Sequence, residues 1–389
     1  MGNEQSVKQR NERPIDAYMY APVTTRRTKA NRVGDFQQGK PFINVKQCAP
    51  LLRTAYHGIW SMSFTNTIAP LTRMGQCSVY DSLTDSLIIA YGCDKSGHCL
   101  NDVWSLDIKN LSWRPLANHL LSPRQYPSSI LINRKMVIYG GNQGNEFYTD
   151  LHSIDIDTGE IIIYETHGEC PISRTSPILF YQDSRLYVLS IYDTTSRFSV
   201  YMLDLQELIW HKLSETHSSL PSPSYCEHRG EFYIFGGSKN TAVTKFHPND
   251  GTFEAFPCTG TEPPLDLSRS SLVSADEYIF LIGGEASYPY MHLYALDTKR
   301  QWWFAFHIRP DNDSLSVQDG TVSPVGLFML PREHSSSIAY SKYRRELISV
   351  MGSRMIDPPP VFKIVIGEAL SVLHLRSDMF EMFNNSYYY

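Results

Sequence analysis

The chain has 389 residues, 42% hydrophobic, 19% charged and 12% aromatic, with a net charge of -5. That much core material excludes disorder along the whole length. The absence of eighteen consecutive apolar residues excludes a membrane-spanning helix, and the acidic balance argues against nucleic-acid binding through bulk charge.

Residues 1–57 read as a basic arm. The first fifty carry nine Lys and Arg against four acidic side chains, a net +5, which leaves -10 on the remainder. Without hydrophobic periodicity the arm is expected to be largely disordered and not a domain. It lacks a charged-then-apolar secretory signal. It opens MGNEQS, in which Gly2 and Ser6 match the N-myristoylation pattern. One acyl chain holds a membrane only marginally. Arg26, Arg27, Lys29 and Arg32 are the expected second signal, attracting anionic lipid by about 1 kcal/mol per residue. The competing reading is a solvated tail without lipid. Seven cysteines, odd in number and irregular in spacing, point to a reducing compartment. The expectation is a cytoplasmic protein peripherally attached to membrane.

Residues 58–64, GIWSMSF, read as a strand carrying a tryptophan. A repeat follows. A short apolar run closing on glycine or a relative recurs at Gly92, Gly141, Ser190, Gly237, Gly284 and Gly352, spaced 49, 49, 47, 47 and 68 residues apart. Each run leads through a variable loop to a second alternating run, and in four units that run ends in aspartate. Six residues beyond the aspartate sits a bulky apolar residue, pairing Asp107 with Trp113, Asp155 with Ile161, Asp204 with Trp210 and Asp297 with Trp303. His247 and Phe253 take these places in the fourth unit.

Apolar-Gly-Gly, a spacer, a strand ending in Asp and a Trp six residues on resemble the kelch repeat, over about residues 58–367. The resemblance implies an all-β fold, a six-bladed kelch-like β-propeller with four antiparallel strands per blade. The sixth unit lacks the Asp–Trp end, and residues 58–64 supply the missing outer strand, so an N-terminal strand closes the ring. The third unit departs by carrying Leu189-Ser190 where the glycines belong. The 68-residue spacing holds an insert, residues 307–330, expected as a long polar surface loop. Its Asp311, Asn312 and Asp313 cluster, but the twelve-residue calcium spacing with a terminal glutamate is absent. Residues 368–389 form a tail, expected as a short docked helix.

Chemistry is sparse. Enzymes of this fold use a Tyr–Cys crosslink with copper, or Glu-x-x-x-Asp-x-x-x-His with iron; Glu146 and Asp150 match the latter, but Ile154 stands at the third place. Cys93, His98 and Cys99 are metal-ligand types, yet Cys-x5-Cys is not a finger spacing, and an ordinary loop is expected. No cofactor and no metal are expected. Strand one of the units begins near Arg73, Arg124, Arg174, Arg269 and Arg332, with Ser224 in the fourth. In kelch adaptors that bind acidic peptides, arginines at this place line the pocket, and guanidinium forks suit carboxylates. The competing reading pairs them with aspartates of the fold. Phe147, Tyr148, Tyr192, Tyr288 and Tyr290 lie in the loops of the same face, in the composition of a protein-binding surface.

The expected function is a non-enzymatic scaffold or adaptor, monomeric, binding a protein partner with an acidic segment. Fifty-seven residues leave no room for a BTB-like or F-box-like domain ahead of the ring. The alternative is a propeller enzyme or a binder of small, sugar-type molecules at the channel mouth; an actin-binding kelch protein has no specific support.

Overall fold

The computed structural model describes residues 58–173, 176–191, 197–217, 222–236, 243–264, 266–306, 308–324, 327–367 and 370. The arm with Gly2, the insert's His307 and most of the tail lie outside them. No helix among the described residues is long and apolar enough to cross a membrane.

Six antiparallel sheets of at least four strands follow one another along the described chain. The first comprises Cys77–Asp81, Ser86–Ala90, Val103–Asp107 and Ser112–Ala117. The second comprises Ser128–Ile132, Lys135–Tyr139, Leu151–Asp155 and Ile161–Tyr164. The third, fourth and fifth begin at Ile178–Gln182, Ser224–His228 and Ser271–Ala275. The sixth takes Ser337–Ser341, Glu346–Val350 and Val361–Val365 from one end of the sequence and Gly58–Ser63 from the other. Ile59 lies opposite Val365 and Ser63 opposite Val361, an antiparallel outer strand supplied by residues 58–63.

The second strand of each unit reads as a near-continuous apolar run because neighbouring sheets cover both its faces. Ser86–Ala90 and Tyr278–Ile282 are buried at every position. Outer strands are wetter, and Ile163 is exposed. Each large apolar cluster draws on two sheets. Trp113 of the first sheet packs with Ile348 and Val350 of the sixth, Trp210 of the third with Tyr139 of the second, and Trp303 of the fifth with Phe235 of the fourth. Each buried aromatic of this size contributes about 2–3 kcal/mol. The repeat's aspartates act locally. The Asp155 and Asp297 carboxylates accept the N–H groups of the turns that follow. That closes the hairpin and aims the bulky residue six positions on.

Glycine works where the second strand must leave the sheet. Gly140 and Gly141 have φ of +76° and +91°, and a Cβ on Gly141 would meet Gln125 O and Pro127 N at 3.0 Å. The third unit, with Leu189-Ser190, does not break there. Its strand runs on as Arg185–Ile191 and pairs with Arg197–Asp204 as far as Ile191 opposite Phe198.

The insert is not a loose polar loop. Ile308–Pro310 adds a parallel strand outside Gly58–Ser63. Leu315, Leu327, Phe328 and Leu330 are buried and anchor it on the fifth and sixth sheets. Asp311 is occupied by its own turn, accepting from the backbone N–H of Asp313, Ser314 and Leu315 and from the Ser314 hydroxyl. Among the described residues no group of three or more metal-ligating side chains assembles.

Candidate binding face

The loops before the first strand and after the second strand of each unit share one face, and backbone hydrogen bonds stitch them from sheet to sheet. The glycine N–H of one sheet donates to a carbonyl four residues before the first strand of the next: Gly92 to Arg124 at 3.0 Å, Gly284 to Glu333 at 2.7 Å and Gly352 to Arg73 at 3.1 Å. The last bond joins the sixth sheet to the first. Gln76 Nε2 supports the same seam by donating to Ser335 O and Ser337 Oγ.

These bonds, and the matching Met74–Cys93, Gln125–Asn142 and Ser268–Glu285 bridges, define which residues are equivalent. Arg73, Arg124, Leu267 and Glu333 hold one position in the first, second, fifth and sixth sheets, each four residues ahead of its strand. Arg269 lies two residues after that position and Arg332 one residue before it, so the five expected arginines do not form one matched ring. Arg174 has the same spacing from Ile178 but falls, with Tyr192, outside the described residues.

The matched arginines are committed to the fold. Arg73 is fully buried and grips Asp102 with both Nη atoms, at 2.5 and 2.9 Å, while Nε and Nη1 also donate to the Leu71 and Tyr91 carbonyls. Trp104 Nε1 donates to the same carboxylate. Arg124, also buried, reaches Asp150 at 2.7 Å and the Ser122 and Gly140 carbonyls. Both partners belong to the arginine's own sheet, immediately before its third strand. The fifth sheet keeps neither charge: Leu267 replaces the arginine and His292 the aspartate, both buried, and burial pushes the His292 imidazole down to about 4. A buried carboxylate without its cation would be costly, and the pair is absent together.

Beneath Arg124 lies a polar row. Tyr91 Oη and His152 Nε2 are 2.8 Å apart, and His152 Nδ1 stands 3.0 Å from Asp150 Oδ2. Burial opposes the Asp150 charge, but the close His152 ring and the hydrogen bond and charge of Arg124 outweigh it, holding the carboxyl at about 2. Burial lowers His152. The Arg124 guanidinium lies 5.2 Å from the Tyr91 ring centre and 4.1 Å from that of Tyr148. Tyr148 is therefore a cover on Arg124, and Phe147 beside it is half-buried in a two-stranded hairpin opposite Asn142. Asp150 meets His152, but Glu146 does not join them in a three-ligand cluster such as an iron site requires, and Ile154 is core.

A further group of side chains lies between the fifth and sixth sheets. Tyr288 is 73% exposed, and Tyr290 is half-buried opposite Pro331. Arg269 and His334 both approach Glu285, at 3.4 and 2.9 Å. Asp266 accepts from the backbone and hydroxyl of Ser287. Among the described residues, Arg332 Nε and Nη1 meet no hydrogen-bond acceptor. Three loops compose this grouping; the sequence points to Arg269, Arg332, Tyr288 and Tyr290 on this face, but not to the Glu285, His334 and Asp266 contacts.

Comparison with known proteins agrees with the geometry. A family model described as the KLHDC2/KLHL20/DRC7 Kelch-repeats domain matches residues 51–237. A leucine-zipper-like transcriptional regulator 1 homolog of Drosophila melanogaster is 24% identical over 64% of this chain and 29% of its own length. Acyl-CoA-binding domain-containing protein 5 of Arabidopsis thaliana is 25% identical over 42% of this chain and 26% of its own. The human leucine-zipper-like transcriptional regulator 1 is 23% identical over 58% and 30%. The chain thus spans less than a third of the curated relatives it matches. The family match stops at Gly237, and antiparallel sheets of the same build continue to Val365, so the match and the fold together support kelch repeats in this chain.

Proposed function

We propose that residues 58–367 form a six-bladed propeller, closed by the N-terminal strand, that serves without chemistry of its own as a scaffold or adaptor for another protein. Kelch repeats generally mediate protein–protein interaction, and two of the relatives above are named as transcriptional regulators. The observation that carries the reading is that the loop after the fifth sheet's second strand holds the exposed Tyr288 and, through Glu285, the exposed Arg269. An aromatic anchor next to guanidinium groups is the usual composition of a hot spot. The partner is an acidic segment, whose carboxylates would compete with Glu285 for the exposed Arg269. Acylation of Gly2 together with the basic arm would hold this monomeric platform at an anionic membrane surface in the cytoplasm.

The test substitutes Tyr288→Ala and Arg269→Glu together. Both side chains are exposed, so circular dichroism and the melting temperature should be unchanged. A partner is captured from native extract with the parent chain, purified and titrated by calorimetry against both forms. The expected result is at least a tenfold weaker Kd for the variant. Equal affinity for the two forms overturns the assignment of this face.

A further inference from the structure

We propose that Cys93 and Cys99 are a reversible redox pair, able to close a disulfide across the hairpin that follows the first glycine turn.

The backbone sets the pair up. Cys93 and Cys99 face each other in an antiparallel bridge. Asp94 N donates to His98 O at 3.0 Å, and Leu100 N donates to Gly92 O at 2.8 Å. Those bonds flank the two cysteines and leave them as a non-hydrogen-bonded pair, the arrangement in which Cα atoms are closest, about 4.5 Å, with side chains on one side of the ladder. A disulfide needs Cα atoms about 4.4–6.8 Å apart, so the bond can form without moving the backbone. No other two cysteines are register-matched among the described residues. The fold does not demand sulfur here either: the corresponding hairpin of the second sheet holds Asn142 opposite Phe147.

The two sulfurs differ in access. Cys93 is buried, its Sγ 3.5 Å from Gln125 Oε1, and burial, Cys99 and the Asp94 charge push its thiol up to about 12. Cys99 is half-buried, and the turn beside it is open. His98 is 81% exposed, and a Cβ on Gly97 would touch nothing within 4 Å. A small disulfide such as oxidised glutathione therefore meets Cys99 first. The Cys99 thiolate attacks one glutathione sulfur, the glutathione S–S bond breaks, and one glutathione thiolate leaves and takes a proton. Cys93 then gives its proton to solvent and attacks Cys99 Sγ, which expels the second glutathione. Two protein thiols are oxidised and one glutathione disulfide is reduced to two thiols.

The test equilibrates the intact chain with excess oxidised glutathione, blocks free thiols with N-ethylmaleimide and digests with trypsin without reduction. Cleavage after Lys95 separates the cysteines, so the expected product is residues 74–95 covalently joined to residues 96–109, released by dithiothreitol. Cys77 lies in the first peptide, and Cys77→Ser should keep the crosslink. Cys99→Ser should abolish it and leave Cys93 alkylated or free. Cys93→Ser should leave Cys99 as a stable glutathione mixed disulfide. The proposal is overturned if the parent chain shows both cysteines alkylated, if it stops at the mixed disulfide on Cys99, or if the crosslink survives in the Cys99→Ser variant.

Discussion

Glu333 stands in the sixth sheet where Arg73 stands in the first. Each lies four residues ahead of its sheet's first strand, and each accepts a glycine N–H from the preceding sheet on its carbonyl. The side chains have opposite charge, and their partners are exchanged accordingly: Arg73 takes Asp102, Glu333 takes Arg354. Arg354 in turn lies 4.8 Å from the Phe362 ring centre, beneath the tryptophan of the closing strand.

This inversion gives the sixth sheet a pH response. Burial raises the Glu333 carboxyl to about 7, with Arg354 only partly offsetting it. Between pH 4.5 and about 7 the folded chain holds a proton that the unfolded chain has released. Its stabilising contribution is complete below 4.5 and is lost as pH rises through about 7. Relative to Glu333→Gln, the parent should lose stability across that window, by about 3 kcal/mol at most. Urea unfolding at pH 5, 6, 7 and 8 checks this, and parallel curves for the two proteins would refute it.

Arg124 offers the opposite sign of experiment, because its pair is fully formed at neutral pH. Arg124→Met leaves Asp150 beside His152 without its cation, and removes the guanidinium between Tyr91 and Tyr148. The expected loss is about 3–5 kcal/mol. In Arg124→Met/Asp150→Asn the loss should be smaller than the sum of the two single losses, since neither charge is then stranded. Additive losses would mean the two side chains do not stabilise one another.

The repeat is legible in the sequence because its signals are local: apolar runs, glycine turns and aspartates that close their own hairpins. The missing outer strand of the sixth unit also marks residues 58–64. The arginine positions are harder to read. Arg269 and Arg332 sit near their strands, but the matched position is set by backbone pairing between loops, a non-local relationship that aligning arginines by type overlooks. Counting four residues back from Ser271 and Ser337 gives Leu267 and Glu333. The insert misleads because its polar residues outnumber Leu315, Leu327, Phe328 and Leu330, yet those few apolar anchors decide where it lies. Exposure at Tyr288 has no sequence signature at all, since a tyrosine in a loop reads alike whether it covers an arginine, as Tyr148 does, or faces water.

The lipid expectation on Gly2 is tested independently of the fold. Cells fed an alkyne-bearing myristate analogue should label the parent chain and not Gly2→Ala. Sedimentation with vesicles containing phosphatidylserine should fall for Gly2→Ala, and should fall again when Arg26, Arg27, Lys29 and Arg32 become Gln. Equal labelling of the parent and Gly2→Ala would remove the modification from consideration.

The closing strand separates the arm from the domain, and two truncations should behave oppositely. A chain beginning at residue 58 keeps Gly58–Ser63 paired with Val361–Val365 and should melt as the full chain does. A chain beginning at residue 65 loses that outer strand, leaves Val361–Val365 an open edge and bares the cluster that holds Trp60. Trp60 is 3% exposed, stacks on Phe362 at 6.0 Å and lies equally far from Phe328 of the insert. Its ring thus ties the N-terminal strand to both the sixth sheet and the insert, and Trp60→Ala alone should cost about 3–5 kcal/mol. Differential scanning calorimetry reads all three. A melting temperature for the chain from residue 65 equal to that of the chain from residue 58 would mean that the outer strand contributes nothing, and that the sixth sheet is held by its other three strands.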